Sequence, residues 1–176
     1  MSARRAVFFD RDGTLNEAAV VAGKPYPPAS VTETRLLAGA ADCVSAVKRM
    51  GFLAVIVTNQ PDAATGKTPR ETIEAINAYV AATCGIEEIR VCWHVDADGC
   101  DCRKPKPGLL RAAARDLGLD LSRCVMVGDR WRDVEAGRAA GCTTILIGPG
   151  YAERSAEPDH RAETLAGVAR IVARLA

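Results

Sequence analysis

Short apolar segments alternate with helical patterns along the chain, and this alternation restricts the possible folds more than any other feature of the sequence. The predicted strands comprise residues 6–10, 52–58, 89–93, 124–129 and 143–148. Most of them are continuously apolar, whereas a strand with one solvent-facing side would alternate between apolar and polar residues. The segments therefore predict strands that are covered on both faces.

Helical patterns occupy the intervals between these strands and follow the last one. They comprise residues 39–50, 69–84, 107–117, 132–140 and 162–175. This order predicts an α/β fold, a three-layer Rossmann-like sandwich with a mostly parallel central sheet. Residues 16–38 show no long helical period and are predicted to form a flap or loop. No segment is long enough for a separate cap domain, so residues 1–176 are expected to form a single domain.

The overall charge gives no reason to expect a nucleic acid or an anionic membrane as a partner, because the formal net charge is only +1. No segment approaches the roughly 18 uncharged apolar residues that a membrane-spanning helix needs. The chain reaches Asp10 after only a few apolar residues, which is too short for a signal peptide. We therefore expect a cytoplasmic protein, a monomer that acts on a small molecule.

Polar side chains lie at the ends of three predicted strands. Asp10 and Asp12 follow the first strand, Thr58 and Asn59 end the second, and Asp129 ends the fourth. The carboxyl ends of parallel strands meet at one edge of a sheet, where such folds bind ligands. Carboxylates this close repel each other unless a cation lies between them, and hard oxygen ligands suit Mg²⁺. The sequence therefore predicts that Asp10, Asp12 and Asp129 hold Mg²⁺.

The same residue types are suited to phosphoryl transfer. A carboxylate such as Asp10 can attack phosphorus to form an aspartyl-phosphate. Asp12 could then protonate the leaving oxygen and later deprotonate the water that hydrolyses the intermediate. Thr58 and Asn59 could donate hydrogen bonds to the phosphoryl oxygens, and a lysine of residues 104–108 could supply a fixed positive charge. These considerations do not separate Lys104 from Lys106.

Four segments resemble, in order, the four motifs of the haloacid dehalogenase superfamily of aspartate-dependent phosphohydrolases. They are FFDRDGTLNE (8–17), VTNQ (57–60), CRKPKPG (102–108) and MVGDRWRDVEAG (126–137). The resemblance spans about residues 6–150. It implies that Asp10 is the nucleophile, that Asp12 is the general acid and base, and that Asp129 is a metal ligand.

Further site residues follow from the same resemblance. Thr58 matches the phosphate-binding residue of the second motif, with Asn59 beside it, and Lys104 matches the lysine of the third motif. Asp133 matches the second acid of the fourth motif; it could contact the metal, hold Lys104 or cap the following helix. Arg103 and Arg130 match basic residues that contact the substrate in the heptose-phosphate members.

A second group of potential ligands lies in the segment CWHVDADGCDC (92–102). Three thiols and an imidazole within so short a segment suit a closed, tetrahedral Zn²⁺ site; they are Cys92, His94, Cys100 and Cys102. No ligand position remains for water, so a structural role is expected, bracing the loop that carries Arg103 and Lys104. The other four cysteines lie in apolar surroundings and are predicted to belong to the core: Cys43, Cys84, Cys124 and Cys142.

The DRDGTLN and CxH…CxCRKPKPG patterns resemble the subgroup of heptose-bisphosphate and histidinol-phosphate phosphatases. The resemblance implies a phosphorylated sugar as substrate, first of all the 7-phosphate of D-glycero-D-manno-heptose 1,7-bisphosphate. Histidinol phosphate is the nearest alternative, and a catalytically silent binding module is an alternative of another class. The sequence departs from the subgroup at PDAATGKTP (61–69), which lacks an arginine common there; Lys67 is the candidate replacement.

Overall fold

The computed structural model describes residues 4–176, which form strands and helices in nearly regular alternation. The strands are β1 (Ala6–Phe9), β2 (Ala19–Val21), β3 (Lys24–Tyr26), β4 (Leu53–Asn59), β5 (Glu88–Cys92), β6 (Val125–Gly128), β7 (Thr143–Ile147) and β8 (His160–Ala162). The helices are α1 (Ala40–Arg49), α2 (Arg70–Cys84), α3 (Gly108–Leu117), α4 (Trp131–Ala140) and α5 (Leu165–Leu175). The five predicted strands and five predicted helices are confirmed, with small shifts at their ends.

Six of the strands form one sheet in the order β5-β4-β1-β6-β7-β8, and every neighbouring pair in it is parallel. The sheet confirms the predicted α/β class. The sequence did not indicate β8, whose three residues, His160 to Ala162, are too few and too polar for an apolar pattern. Residues 16–38 were predicted as a flap or loop, but they contain the exposed antiparallel hairpin β2–β3.

Successive side chains of the central strands point to opposite faces of the sheet, as strand geometry requires. Val7 and Phe9 of β1 pack in the core formed with α1, α2 and α5. Ala6 and Phe8 pack in a second core formed with α3 and α4. Helices thus cover the sheet on both sides, which accounts for the continuously apolar strands and gives the predicted three layers.

The four cysteines outside the CxH…CxC segment are buried in these two cores, as expected: Cys43, Cys84, Cys124 and Cys142. Among the described helices, none has the length and apolar character needed to cross a membrane. The assignment of residues 1–176 to a single domain stays a prediction. What matters for the site is the strand order, because β1 lies between β4 and β6 and the carboxyl ends of all three are adjacent.

Candidate active site

The three central strands bring the predicted site residues together at one edge of the sheet. Asp10 directly follows β1, and its backbone N–H donates to the carbonyl of Val127 in β6 at 2.9 Å. Thr58 and Asn59 end β4, and Asp129 follows β6. A cavity of about 210 Å³ opens at this edge. It is lined by Asp10, Asp12, Thr58, Asn59, Gln60, Arg103, Lys104, Arg130, Arg132 and Asp133, by Pro25, Tyr26 and Pro27 of the hairpin region, and by Pro61, Asp62 and Lys67.

Lys104 is the positive charge at the centre of the site, although its side chain is only 2% exposed. Its Nζ donates to Asp10 Oδ1 at 2.8 Å, to Asp133 Oδ1 at 2.7 Å and to the carbonyl of Val57 at 2.8 Å. An ammonium group has three donors, so all of them are used. Lys106, by contrast, lies at the surface and donates to the carbonyls of the 99–100 segment.

Burial and charge pairing act against each other on the two central groups. Burial lowers the pKa of Lys104, but Asp10 and Asp133 outweigh it, so that pKa lies above its usual value. Burial raises the pKa of Asp10 to about 6, while Lys104 lowers it and Asp133 raises it. The carboxylates of Asp10, Asp129 and Asp133 lie close together with one ammonium group, that of Lys104, and therefore leave an excess of negative charge. A bound cation would stabilise this arrangement.

Asp129 is the acid that most clearly lacks a partner. Its Oδ2 accepts a hydrogen bond from the Tyr151 hydroxyl, whereas its Oδ1 is buried without a hydrogen bond. Burial, followed by the charges of Asp10 and Asp133, raises the pKa of Asp129 well above its ordinary value. Gly13, at φ +81°, allows this packing, because a Cβ there would lie 1.8 Å from Asp129 Oδ2.

The carboxylates of Asp10, Asp129 and Asp133 place one oxygen each within 4.8 Å of one another. Buried carboxylate oxygens, one of them unsatisfied, fit a hard divalent cation such as Mg²⁺. Asp133 also has other contacts, since its Oδ1 accepts from Lys104 and its Oδ2 from the backbone N–H of Arg130 at 3.1 Å. It therefore holds Lys104 and caps the first turn of α4 at the same time.

The Asp12 carboxylate does not belong to this trio and has partners of its own. Its oxygens accept hydrogen bonds from Arg11, from Asn16 Nδ2 at 3.0 Å and from Gln60 Nε2 at 2.8 Å. Gln60 also donates to Thr58 Oγ1 at 2.9 Å. The carboxylate lines the same cavity as Asp10. Its expected roles in proton transfer and in metal binding stay predictions.

Asn59 connects β4 to the loop that carries Lys104. Its Nδ2 donates to the carbonyl of Lys104 at 3.0 Å, and its Oδ1 accepts from the N–H of Lys104 at 3.1 Å. Both backbone groups of the lysine are therefore held by one side chain. Asn59 lies beside Thr58, as the sequence indicated, but its amide is engaged with this loop.

The arginines at the cavity have partners of their own. Arg103 Nε donates to Asp96 Oδ1 at 2.7 Å, and Arg132 Nη1 donates to the same oxygen at 3.1 Å. Arg130, the other predicted substrate contact, forms a two-point ion pair with Glu153 at 2.9 and 2.6 Å. Arg132 was not among the site residues predicted from the sequence, although it lies within the fourth motif.

Two other contacts were missed for different reasons. Gln60 belongs to the VTNQ segment, and only its hydrogen bonds to Asp12 and Thr58 in the folded protein show that its amide faces the site. Tyr151 lies outside all four motifs, so no local pattern indicated that its hydroxyl meets Asp129.

The proposed zinc ligands also come together. Cys92 ends β5, and the loop returns so that Cys102 Sγ lies 3.2 Å from Cys92 Sγ, 3.5 Å from Cys100 Sγ and 3.3 Å from His94 Nδ1. All four potential ligand atoms lie within 4.8 Å of one another. Three sulfurs and one nitrogen at such distances fit tetrahedral Zn²⁺ coordination.

Comparison with known proteins identifies the family. Residues 101–171 match the family model described as HAD-hydrolase-like. A D-glycero-beta-D-manno-heptose-1,7-bisphosphate 7-phosphatase of Pseudomonas putida is 32% identical over 161 residues, covering 87% of this chain and 87% of that protein. The enzyme of the same name from Vibrio cholerae is 37% identical over 157 residues, covering 82% of this chain and 81% of that protein.

Solved structures agree with these relatives. The crystal structure of D,D-heptose 1,7-bisphosphate phosphatase from B. bronchiseptica, complexed with magnesium and phosphate, superposes with a TM-score of 0.84. It is 29% identical, and the alignment covers 98% of this chain and 99% of that one. The chain therefore belongs to the haloacid dehalogenase-like hydrolases, as a phosphatase in the same family as the heptose-1,7-bisphosphate 7-phosphatases.

Proposed function

We propose that this protein is a magnesium-dependent phosphomonoesterase that removes the 7-phosphate of D-glycero-beta-D-manno-heptose 1,7-bisphosphate through an aspartyl-phosphate. The main support for this reaction is the pair of contacts that Lys104 makes with Asp10 and Asp133. These contacts lie beside Asp129, whose buried Oδ1 has no hydrogen bond. The substrate is inferred from the names of the relatives and from the arginine and lysine side chains among the residues that line the cavity.

The first chemical step is assigned to Asp10. One of its carboxylate oxygens attacks phosphorus, an O–P bond forms, and the bond from phosphorus to the substrate oxygen breaks. Asp12 gives a proton to the departing alkoxide and then takes one from the water that hydrolyses the aspartyl-phosphate, which restores both carboxyl groups. Lys104, with the Thr58 hydroxyl, offsets negative charge on the phosphoryl oxygens.

Mg²⁺, when bound, supplies further positive charge at the phosphoryl oxygens. We assign Asp10 and Asp129 as its carboxylate ligands, because Asp129 Oδ1 has no other partner. Asp133 is assigned mainly to supporting Lys104, since both of its oxygens already accept hydrogen bonds. We also propose that Asp12 contributes to Mg²⁺ binding.

A structural zinc ion is proposed for the cluster formed by Cys92, His94, Cys100 and Cys102. This site would fix the loop in which Cys102 is followed directly by Arg103 and Lys104. Its role is to position the lysine, because four protein ligands leave no place for a reacting water.

The cavity lining favours a substrate with a second anionic group. Arg103 and Arg132 share the single carboxylate of Asp96, which leaves positive charge there. Lys67 lines the same cavity, with its Nζ 3.6 Å from Asp62 Oδ2. A bisphosphate offers such a group, whereas the distal end of histidinol phosphate carries an amine and an imidazole. Charge complementarity therefore supports the sugar bisphosphate over histidinol phosphate.

Phosphate release from heptose 1,7-bisphosphate anomers and histidinol phosphate tests this proposal. We expect the highest kcat/KM for the beta anomer with Mg²⁺, and an equal or higher value for histidinol phosphate would refute the substrate assignment. Asp10→Asn is expected to lose turnover, while the exposed Asp42→Asn on α1 serves as the charge-matched control. Full turnover by Asp10→Asn, or none by the unaltered protein, would favour another mechanism or the silent module. A monomeric, cytoplasmic protein stays a prediction.

A further inference from the structure

We propose that Gln60 is a positioning residue that holds the proton-transferring Asp12 and the phosphate-binding Thr58 in one arrangement. The inference rests on the proposed aspartyl-phosphate mechanism. It assigns a specific effect to Gln60: its loss should impair reactions with poor leaving groups more than reactions with good ones.

Gln60 is almost completely buried, and both its backbone and its side chain are held. The side chain is 1% exposed, and its backbone N–H donates to the carbonyl of Cys92 at 2.7 Å. Nε2 donates to Asp12 Oδ2 at 2.8 Å and to Thr58 Oγ1 at 2.9 Å. A primary amide has two N–H hydrogens, so each contact takes one of them.

The other donors to Asp12 come from its own turn. Arg11 Nη2 donates to Asp12 Oδ2 at 2.8 Å, and Asn16 Nδ2 donates to Oδ1 at 3.0 Å. Within residues 4–176, Gln60 is the donor to this carboxylate that comes from another strand end. It therefore fixes the acid on the turn after β1 relative to the phosphate-binding end of β4.

The bond to Thr58 has a consequence for the direction of the threonine hydroxyl. Because Oγ1 accepts the Gln60 hydrogen, the hydroxyl's own hydrogen must point elsewhere. Thr58 lines the cavity, so this hydrogen is available to a phosphoryl oxygen there. The Gln60 amide thus positions the Asp12 carboxylate and also orients the Thr58 hydroxyl.

These two effects differ in how they depend on the leaving group. An alkoxide needs a proton as the O–P bond breaks, whereas p-nitrophenolate is a weak base and leaves without one. A misplaced Asp12 should therefore slow phosphorylation by an alkyl phosphate selectively. A misdirected Thr58 should slow both substrates alike, because both carry the same phosphoryl group.

The test is rapid-quench, single-turnover phosphorylation of the full-length protein with Mg²⁺. Heptose 1,7-bisphosphate is the alkyl probe and p-nitrophenyl phosphate the aryl probe. In Gln60→Leu, the ratio of alkyl to aryl rates should fall by about 10- to 100-fold, within the range of general acid catalysis. Asp12→Asn should lower the ratio in the same direction, and Thr58→Val should lower both rates and leave the ratio unchanged.

Two further variants separate positioning from folding. Gln60→Met keeps the chain length with an adaptable apolar side chain and should give the same lowered ratio. Thr144→Val removes a buried hydroxyl in β7, away from the site, and should leave the ratio unchanged. An unchanged ratio in a folded Gln60 variant would overturn the inference. If the unaltered protein hydrolyses p-nitrophenyl phosphate but not the heptose bisphosphate, only the substrate assignment fails, and histidinol phosphate becomes the alkyl probe.

Discussion

Replacing Lys104 by methionine removes the buried positive charge and keeps a side chain of similar length. Asp10 and Asp133 would lose hydrogen bonds of 2.8 and 2.7 Å, and the carbonyl of Val57 would lose its bond as well. Removing one partner of a buried ion pair costs about 3–5 kcal/mol in the free energy of unfolding. For a domain of this size, each kcal/mol lowers Tm by about 2–4 °C. The expected decrease in Tm is therefore about 6–20 °C.

The assay is thermal unfolding followed by circular dichroism in metal-free buffer, with Lys106→Met as the matched control. Lys106 is exposed, donates to two backbone carbonyls and forms a long surface ion pair of 3.8 Å with Asp101, so its loss should cost less than about 1 kcal/mol. Burial holds the pKa of Asp10 at about 6, above its usual value of 3.8, and losing Lys104 should raise it further. The folded Lys104→Met variant then binds more protons than the unfolded chain, so its stability rises on acidification. The difference in free energy of unfolding between the unaltered protein and this variant should therefore decrease as pH falls from 7 toward 4.

Equal Tm values for the two lysine variants would refute the reasoning, because the structure gives them opposite burial and pairing. A stability difference between the unaltered protein and Lys104→Met that grows on acidification would also contradict this reasoning. Added Mg²⁺ should restore part of the stability of Lys104→Met, since a cation would again neutralise the acidic trio.

Three other perturbations have expected outcomes. Cys102→Ala should lower the zinc content, measured by atomic emission, and should reduce Tm and turnover because the loop that carries Lys104 is no longer fixed. Full activity in a zinc-free, folded variant would contradict this structural role of zinc. Gly13→Ala should lower the free energy of unfolding by at least about 1 kcal/mol, because φ is +81° at this position. The new Cβ would overlap Asp129, so Mg²⁺ binding measured by calorimetry should weaken, and unchanged binding would contradict this packing. Asp159→Asn should cost less than about 1 kcal/mol at pH 7, since the carboxylate is exposed. Hydrogen bonds from Thr144 lower the pKa of Asp159, so this difference should decrease progressively as pH falls below 3.8, and a difference that stays constant on acidification would exclude that origin.

Much of the fold could be predicted because β1, β4 and β6 are buried on both faces and leave continuous apolar segments in the sequence. The hairpin β2–β3 and the edge strand β8 leave no such signal. Each of these strands has three residues, and hydrogen bonds to a neighbour define them more than burial does. A pattern search has little to detect in segments of this length.

The location of the site could also be predicted, but not the direction of each side chain. Asp10 and Asp12 are two residues apart, yet Asp10 accepts from Lys104 whereas Asp12 accepts from Arg11 and Asn16 of its own turn. The partner of Arg130 is Glu153, and no local spacing indicates a contact between residues so far apart in the sequence. Such orientations depend on tertiary contacts, which a motif does not encode.

The closed cluster of thiols and imidazole has a consequence for how this enzyme family could diversify. Residues 95–99 lie between His94 and Cys100, and these two residues form the cluster together with Cys92 at the end of β5 and Cys102. Lys104 lies two residues beyond Cys102, and its backbone is also held by Asn59. Insertions or deletions around Asp98 and Gly99 would thus reshape the surface next to Asp96, which bonds the cavity-lining Arg103 and Arg132, and leave the contacts of Lys104 with Asn59 in place. Substrate range could then change through loop length alone, without any change in the chemical step.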